Sequence, residues 1–231
     1  MGAFSYKDLT IIYEDNHLLV VEKPINMPMQ ADQSKDLDLL SICKDYLKET
    51  YQKPGNVYCG MVHRLDRPVG GVCVFTKTSK AASRLSQQIR ENTIHKEYLA
   101  VLCGKSKLED QLTDYLIKNE KTNMVSVTNK NTTKAKKAIL HYQQIQYKDK
   151  FSLVKIQLET GRSHQIRVQF SSRNLPLWGD QRYNNKAVVG QQIALWASSL
   201  SFIHPTKKEK ISVSSLPPKR DIWNLFEVIY D

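Results

Sequence analysis

Two β-rich runs, Ala138–Tyr147 and Phe151–Leu158, are separated only by Lys148-Asp149-Lys150. So short a connection can only turn the chain back into an antiparallel neighbour, because a parallel partner needs a crossover of a dozen residues or more. The pattern recurs near the N-terminus, where Leu9–Tyr13 and Leu18–Val21 flank a turn at Asp15-Asn16. Lys23-Pro24 and Met27-Pro28 then hold the chain extended. Further strands are expected at Val72–Phe75, Lys96–Leu102, Ala194–Ala197 and Leu200–Ile203. Helical spacing appears over Leu37–Thr50, with Leu40, Cys43 and Leu47 on one face, and over Ser79–Asn92, with Ala82, Leu85 and Ile89. A third helix is expected from His164 to Ser172, capped by Ser163 and buried through Ile166 and Phe170, and a short one from Ile222 to Val228. The polar stretch Lys118–Lys137 reads as a mobile loop or the frayed tip of a hairpin. Many strands, few helices and repeated hairpin signals predict an α+β fold with a mixed, largely antiparallel central sheet flanked by helices and loops, rather than a βαβ array. At 231 residues the chain reads as one domain, 1–231, of two lobes.

Composition narrows the partner. The hydrophobic content of 41% supplies a core, while no run of about eighteen apolar residues offers a membrane span. The N-terminal residues lack the basic start and apolar stretch of a signal peptide, so the expected location is the cytoplasm. Cys43, Cys59, Cys73 and Cys103 stand singly, with no Cys-x-x-Cys pair, and are expected as reduced, apolar thiols. The net charge of +11 points to a polyanion, and nucleic acid is the commonest.

Most catalytic motifs are missing. Gly70-Gly71 precedes a strand, so neither a P-loop nor a dinucleotide fingerprint fits. There is no His-Glu-x-x-His, no histidine pair at ligand spacing and no Gly-x-Ser-x-Gly elbow. His63-Arg64-Leu65-Asp66 has the form of a kinase catalytic loop, but the glycine loop, the Asp-Phe-Gly and the offset Asn are absent. Asp66 lies between Arg64 and Arg67, neighbours that would keep a carboxylate ionised and suited to nucleophilic work; a surface carboxylate paired to either arginine is the plainer reading. Tyr98 on its strand reads more readily as core than as catalytic. His164 and Arg167, one helical turn apart behind Arg162, read as a solvated basic face or as a holder of phosphates or a carboxylate.

Taken in order, these segments resemble the RluA-type RNA pseudouridine synthases. The family pattern His-Arg-Leu-Asp-x-x-x-x-Gly matches His63 to Gly71, Lys-x-Tyr-x-Ala matches Lys96 to Ala100, and Thr-Gly-Arg-x-His-Gln-Ile-Arg matches Thr160 to Arg167. Lys23-Pro24, Pro176, Gly179-Asp180 and Tyr183 also fit, so the resemblance runs from about residue 10 to residue 205. It implies that uridine in tRNA or ribosomal RNA is converted to pseudouridine without metal or cofactor. Asp66 would be the nucleophile, with attack on the sugar and removal of a sugar proton both open as its first step. Tyr98 would stack on the flipped uracil and later help remove the ring proton, and Arg167 would pair with Asp66. Arg64 would fill the space left by the extruded base, and Leu195 would line the uracil pocket. His63, His164 and Arg162 are expected beside them in substrate binding.

The chain departs from the family at Val69-Gly70, Trp178 and Trp196, which bears on loop support and packing but removes no catalytic group. Many relatives begin with a separate RNA-binding domain. Here the catalytic pattern starts almost at once, so RNA selection is expected from its own loops, with Lys130 to Lys137 and Lys207, Lys208 and Lys210 as phosphate contacts. The expected state is a monomer that binds RNA and no membrane. Two rivals stand beside this reading. One is an inactive RNA-binding or ribosome-assembly protein on the same fold. The other is a nucleoside or glycoside hydrolase with Asp66 as nucleophile, which would need a second carboxylate that the motif lacks.

Overall fold

The computed structural model describes residues 4–227. The chain divides into two compact units, one running to Ile94 and including Ala197–Ser215, the other comprising His95–Trp196 and the residues from Leu216 on.

The first unit opens with β1 (Ile11–Glu14) and β2 (Leu18–Lys23), an antiparallel pair joined at the expected turn. Asp15 builds that turn by accepting the backbone N–H groups of His17 and Leu18, both at 2.8 Å. Its other oxygen accepts from buried His204 at 2.8 Å. Burial works against ionising Asp15, but these donors and Tyr13 prevail and hold its pKa at about 2. Next come α1 (Leu39–Thr50), capped by the Asp38 side chain, the short β3 (Gly60–Met61), β4 (Gly70–Thr76) and α2 (Ser79–Arg90), capped by Thr78. The buried face of α1 is Leu39, Ile42, Cys43 and Leu47, so the stripe is rotated from the expected one and Leu40 is only half-buried. β4 is buried throughout and antiparallel to β2, with Lys23 opposite Gly71. Alternate residues of the two strands, Leu18, Val20, Val72 and Val74, join Leu85 of α2 and Leu200 and Phe202 in one cluster.

The second unit is a twisted antiparallel run ordered β5 (His95–Cys103), β9 (Phe151–Leu158), β8 (Lys136–Lys148), β6 (Glu109–Asn119) and β7 (Met124–Thr128). The β8–β9 hairpin turns on Asp149 and Lys150, both at positive φ, the conformation a two-residue turn needs to match strand twist. Of the two expectations for Lys118–Lys137, the structure has the hairpin and not the mobile loop. The stretch holds the end of β6, all of β7 and the start of β8, and β7 pairs with β6 from Tyr115↔Thr128 to Asn119↔Met124. This hairpin arm is ordered because Leu116 and Val125 bury against Ala138 of β8 and Val168 of α3 (Gln165–Ser171). Those contacts lie far apart in sequence, where local polarity could not report them.

Two strands expected near residues 194 and 203 are one, β10 (Leu195–Ile203), whose later residues pair with β11 (Lys210–Ser214) in the first unit. The expected C-terminal helix is a 3-10 turn over Asp221–Leu225, with Val228 outside the described residues. All four cysteines are unpaired thiols, three of them buried. No helix among the described residues is long and apolar enough to cross a membrane. Both units are thus built on antiparallel sheet with few helices, the α+β class that the turn signals predict.

Candidate active site

Asp66 lies in the loop between β3 and β4, and the backbone of that loop is held from three sides. His63 carries on where β3 stops: Gly60 and Met61 pair with Thr76 and Phe75, and the His63 Nε2 then accepts the N–H of Val74 at 3.0 Å. An accepting Nε2 places the imidazole proton on Nδ1. The Asp66 carbonyl accepts the N–H of Val69 at 3.0 Å, closing a turn over Arg67-Pro68. Beneath that turn the fully buried Lys23 donates its ammonium to the carbonyls of Pro24 (2.9 Å), Arg67 (2.9 Å) and Val69 (2.7 Å). Burial drives the Lys23 pKa down to about 8, against the opposing pull of Cys73 and Asp66. Three N–H groups meeting three carbonyls is how a buried ammonium offsets lost hydration without a hydrogen-bonded carboxylate.

The arginines flanking Asp66 differ. Arg67 pairs with Asp36 and donates to the Asn26 carbonyl at 3.3 Å and to Ser34 at 3.2 Å, so its guanidinium ties the loop to residues 26–36. Arg64 is solvent-exposed, Leu65 is buried and Asp66 is half-buried. Gly71 ends the motif for a steric reason: at φ +116° a Cβ would run into the Ala197 carbonyl.

In the second unit, Tyr98 sits on β5, buried and paired in register with Ile156. Lys96, two residues earlier, is partly buried, which lowers its pKa, and its Nζ lies 3.4 Å from where a Gly161 Cβ would stand. The Lys-x-Tyr-x-Ala strand therefore packs against the glycine of the third motif.

That third motif is largely architecture. Thr160 Oγ1 accepts the Ile139 N–H at 2.8 Å and donates to Gln165 Oε1 at 2.8 Å. Gln165 also accepts the Arg162 N–H at 3.0 Å and donates to the Ile139 carbonyl at 3.0 Å. Arg162 Nε donates to the Lys137 carbonyl at 2.9 Å from an otherwise exposed position. The N-cap of α3 is not Ser163 but His164, in the left-handed region at φ 51°, with no side-chain cap bond. Gln165 organises the loop instead, and the His164 ring turns to Tyr183, with Nδ1 2.7 Å from the hydroxyl.

Nor does α3 carry a solvated basic face, since every residue from Gln165 to Phe170 is buried. Arg167 is 6% exposed and makes a two-pronged ion pair with Asp180, from Nε at 2.8 Å and from Nη2 at 2.6 Å. Asp180 also accepts the N–H groups of Arg182 and Tyr183. The Tyr183 ring lies under the guanidinium, 5.1 Å from its carbon to the ring centre. Gly179, at φ +71°, turns the chain into this segment where a Cβ would meet the Gln192 carbonyl. Leu195 and Trp196 are buried at the start of β10.

The site residues thus form two sets, each described within its own unit: Lys23, His63, Arg64 and Asp66 in the first, and Tyr98, Arg162, His164, Arg167 and Leu195 in the second. Sequence spacing missed the surroundings of Arg167. Gly179-Asp180 and Tyr183 fitted the family pattern but carried no expected role, because a partner thirteen residues away shows no periodic signal. Among the described residues no cluster of His, Cys, Asp and Glu is suited to hold a metal ion.

A family model described as RNA pseudouridylate synthase matches residues 17–172. The ribosomal large subunit pseudouridine synthase D of Zymomonas mobilis is 31% identical over 232 residues, covering 96% of this chain and 73% of that protein. The ribosomal large subunit pseudouridine synthase C of Buchnera aphidicola is 31% identical over 237 residues, covering 95% and 70%. Among solved structures, human RNA pseudouridylate synthase domain containing 4 aligns with a TM-score of 0.77 at 20% identity, over 91% of this chain and 89% of that one, which shows a shared fold. A match spanning all three motifs, joined to relatives aligned along nearly the whole chain, means that this chain belongs to the RNA pseudouridylate synthase family and is an RNA pseudouridine synthase, an isomerase.

Proposed function

We propose that Asp66 is the nucleophile of this isomerase and acts on a uridine flipped out of structured RNA. Extruding the base costs a few kcal/mol of stacking and pairing. Arg64, exposed beside Asp66, fills the vacated space, and Tyr98 offers the flipped uracil an aromatic face. Arg167 supplies the reaction with a buried positive charge, and Leu195 lines the uracil pocket. Arg162 and His164 hold the RNA, while His63 contributes through the shape of the loop it braces. The bond from the sugar to N1 breaks, the uracil turns, and the sugar bonds to C5. The C5 proton leaves as N1 gains one, so the change is a net isomerisation.

The observation that carries this reading is the bracing of the Asp66 loop. A buried ammonium under its turn and an imidazole on its strand fix the backbone and leave a half-buried carboxylate beside an exposed arginine. For a surface ion pair that investment would be without purpose. The relatives in Zymomonas and Buchnera are named for the large ribosomal subunit, so its RNA is the first substrate to try, with tRNA as the second. The test uses RNA tritiated at C5 of uracil. Wild type releases tritium; Asp66→Asn binds the RNA and releases none. Turnover by Asp66→Asn would remove the nucleophile assignment. RNA binding by wild type with no release from either RNA would favour a binding protein on this fold, and free uracil among the products would favour a hydrolase.

A further inference from the structure

We infer that Tyr183 is a positioning residue that sets the guanidinium of Arg167. The proposal rests on the reading above, in which Arg167 serves the reaction. Asp180 holds the Nε edge of Arg167 through its two bonds, but an edge-on pair leaves the plane of the guanidinium able to tilt about that axis. The Tyr183 ring, 5.1 Å below the guanidinium carbon, supports that plane from its face, because the negative face of an aromatic ring attracts a flat cation.

The ring is itself fixed at its far end. Its hydroxyl accepts the N–H of Val125 on β7 at 2.9 Å and lies 2.7 Å from His164 Nδ1. With one lone pair taken by Val125, the hydroxyl proton is available for Nδ1, which places the His164 proton on Nε2. Both neighbours are anchored. Val125 is buried against Leu116, Ala138 and Val168, with Tyr183 packed on the same cluster. Arg182, the preceding residue, donates to the Asn123 carbonyl at 3.1 Å at the tip of the β6–β7 arm. The arm, the start of α3 and the Asp180–Tyr183 segment therefore meet at one phenol whose face lies against Arg167. A tyrosine needed only for packing requires neither a backbone donor from the arm nor an imidazole on its hydroxyl.

The two functions of Tyr183, ring and hydroxyl, are separable. Tyr183→Phe and Tyr183→Leu both lose the hydroxyl, and only Leu loses the ring. Steady-state tritium release should show Tyr183→Phe within about threefold of wild-type kcat and Tyr183→Leu lower by about thirtyfold, the factor that a desolvated cation–π contact supplies. KM for RNA should stay within about twofold in both, because the ring acts on Arg167 and not on RNA. Equal losses in the two variants, no loss in Leu, or a change confined to KM would overturn the proposal. Should Tyr183→Leu fail to fold, 4-fluoro- and pentafluorophenylalanine at position 183 keep the ring's shape while weakening and then reversing its negative face. Turnover falling stepwise along that series supports the proposal, and a flat series overturns it. Arg167→Met separates the two levels of the argument. If it turns over like wild type, the role of Arg167 fails. If it is inactive while the position 183 variants match wild type, only the role of Tyr183 fails.

Discussion

Replacing Lys23 by Met removes a buried charge and an ammonium that donates to three carbonyls, and the two effects respond differently to pH. The pKa of Lys23 falls from 10.5 to about 8 in the folded protein, because burial disfavours the ammonium. That shift means the folded state carries a charge penalty of about 3 kcal/mol while the lysine is protonated. At pH 7 Lys23→Met relieves this penalty but strips the donor from the carbonyls of Pro24, Arg67 and Val69, each worth about 1 kcal/mol or more. The two nearly cancel, so the variant should lie within about 2 kcal/mol of wild type at pH 7.

The sign reverses ordinary intuition about a salt-free lysine. Between pH 8 and 10.5 the unfolded chain binds more protons at this position than the folded one, so wild-type stability gains with rising pH from this group. The gain is about 1.3 kcal/mol at pH 9 and about 2.5 kcal/mol at pH 10, relative to pH 7. Methionine has no such gain. Other tyrosines, lysines and thiols titrate in both proteins and cancel in the difference. Urea unfolding at pH 7, 8, 9 and 10 should therefore show the gap, taken as wild-type stability minus that of Lys23→Met, rise by about 2.5 kcal/mol across the series. A gap that is constant, or that falls as the lysine loses its charge, refutes the burial argument. It would mean that the ammonium is held by something stronger than carbonyl dipoles.

Three further outcomes follow from single contacts. Gly71→Ala places a Cβ against the Ala197 carbonyl at φ +116° and should cost about 2 kcal/mol or more in urea unfolding; a neutral result would mean that β4 and β10 can shift apart. Asp15→Asn should cost about 1 kcal/mol at pH 7, because the carboxylate held at a pKa of about 2 accepts from His17, Leu18 and His204. The folded pKa is depressed, so the stability difference is present above about pH 4 and fades as pH falls towards 2; a difference that persists unchanged to pH 2 contradicts this. Neutralising the exposed Lys134, Lys136 and Lys137 should weaken RNA binding and flatten the slope of log affinity against log salt by about 2, whereas an unchanged slope clears that edge of phosphate contacts.

What could be read along the chain was whatever depends on neighbours close in sequence. The β8–β9 turn was legible because only a hairpin fits between Tyr147 and Phe151, and β4 because seven consecutive residues are buried and apolar or small. β6 and β7 were not. Only Leu112 and Leu116 of β6 and Val125 of β7 are buried, and the charged and polar residues between them mimic a loop until α3 and Tyr183 cover them. The same limit applied at the site. Asp66, Tyr98 and Arg167 stood out as candidates by motif, but the burial of Arg167 depends on Asp180, and the bracing of the Asp66 loop depends on Lys23, forty-three residues earlier.

Motif length in this chain measures architecture more than chemistry. Of the eight residues from Thr160 to Arg167, Thr160 and Gln165 are spent on Ile139, Gly161 leaves room for Lys96, and Ile166 is core. Of the other four, Ser163 is exposed, and Arg162, His164 and Arg167 remain for charge and contact. The reason lies in the cost of burying a guanidinium. A buried cation that lost its carboxylate would cost about 3–5 kcal/mol, so Arg167 can be placed on α3 only where Asp180 is delivered to it in a fixed geometry. Gly179 supplies that turn and Tyr183 the adjoining face, which is why residues outside the motif are as necessary as those within it. A buried arginine read from sequence alone therefore implies an unseen acid. Here that acid lies thirteen residues downstream, behind a glycine at positive φ, at a distance that no helical or strand period would have indicated.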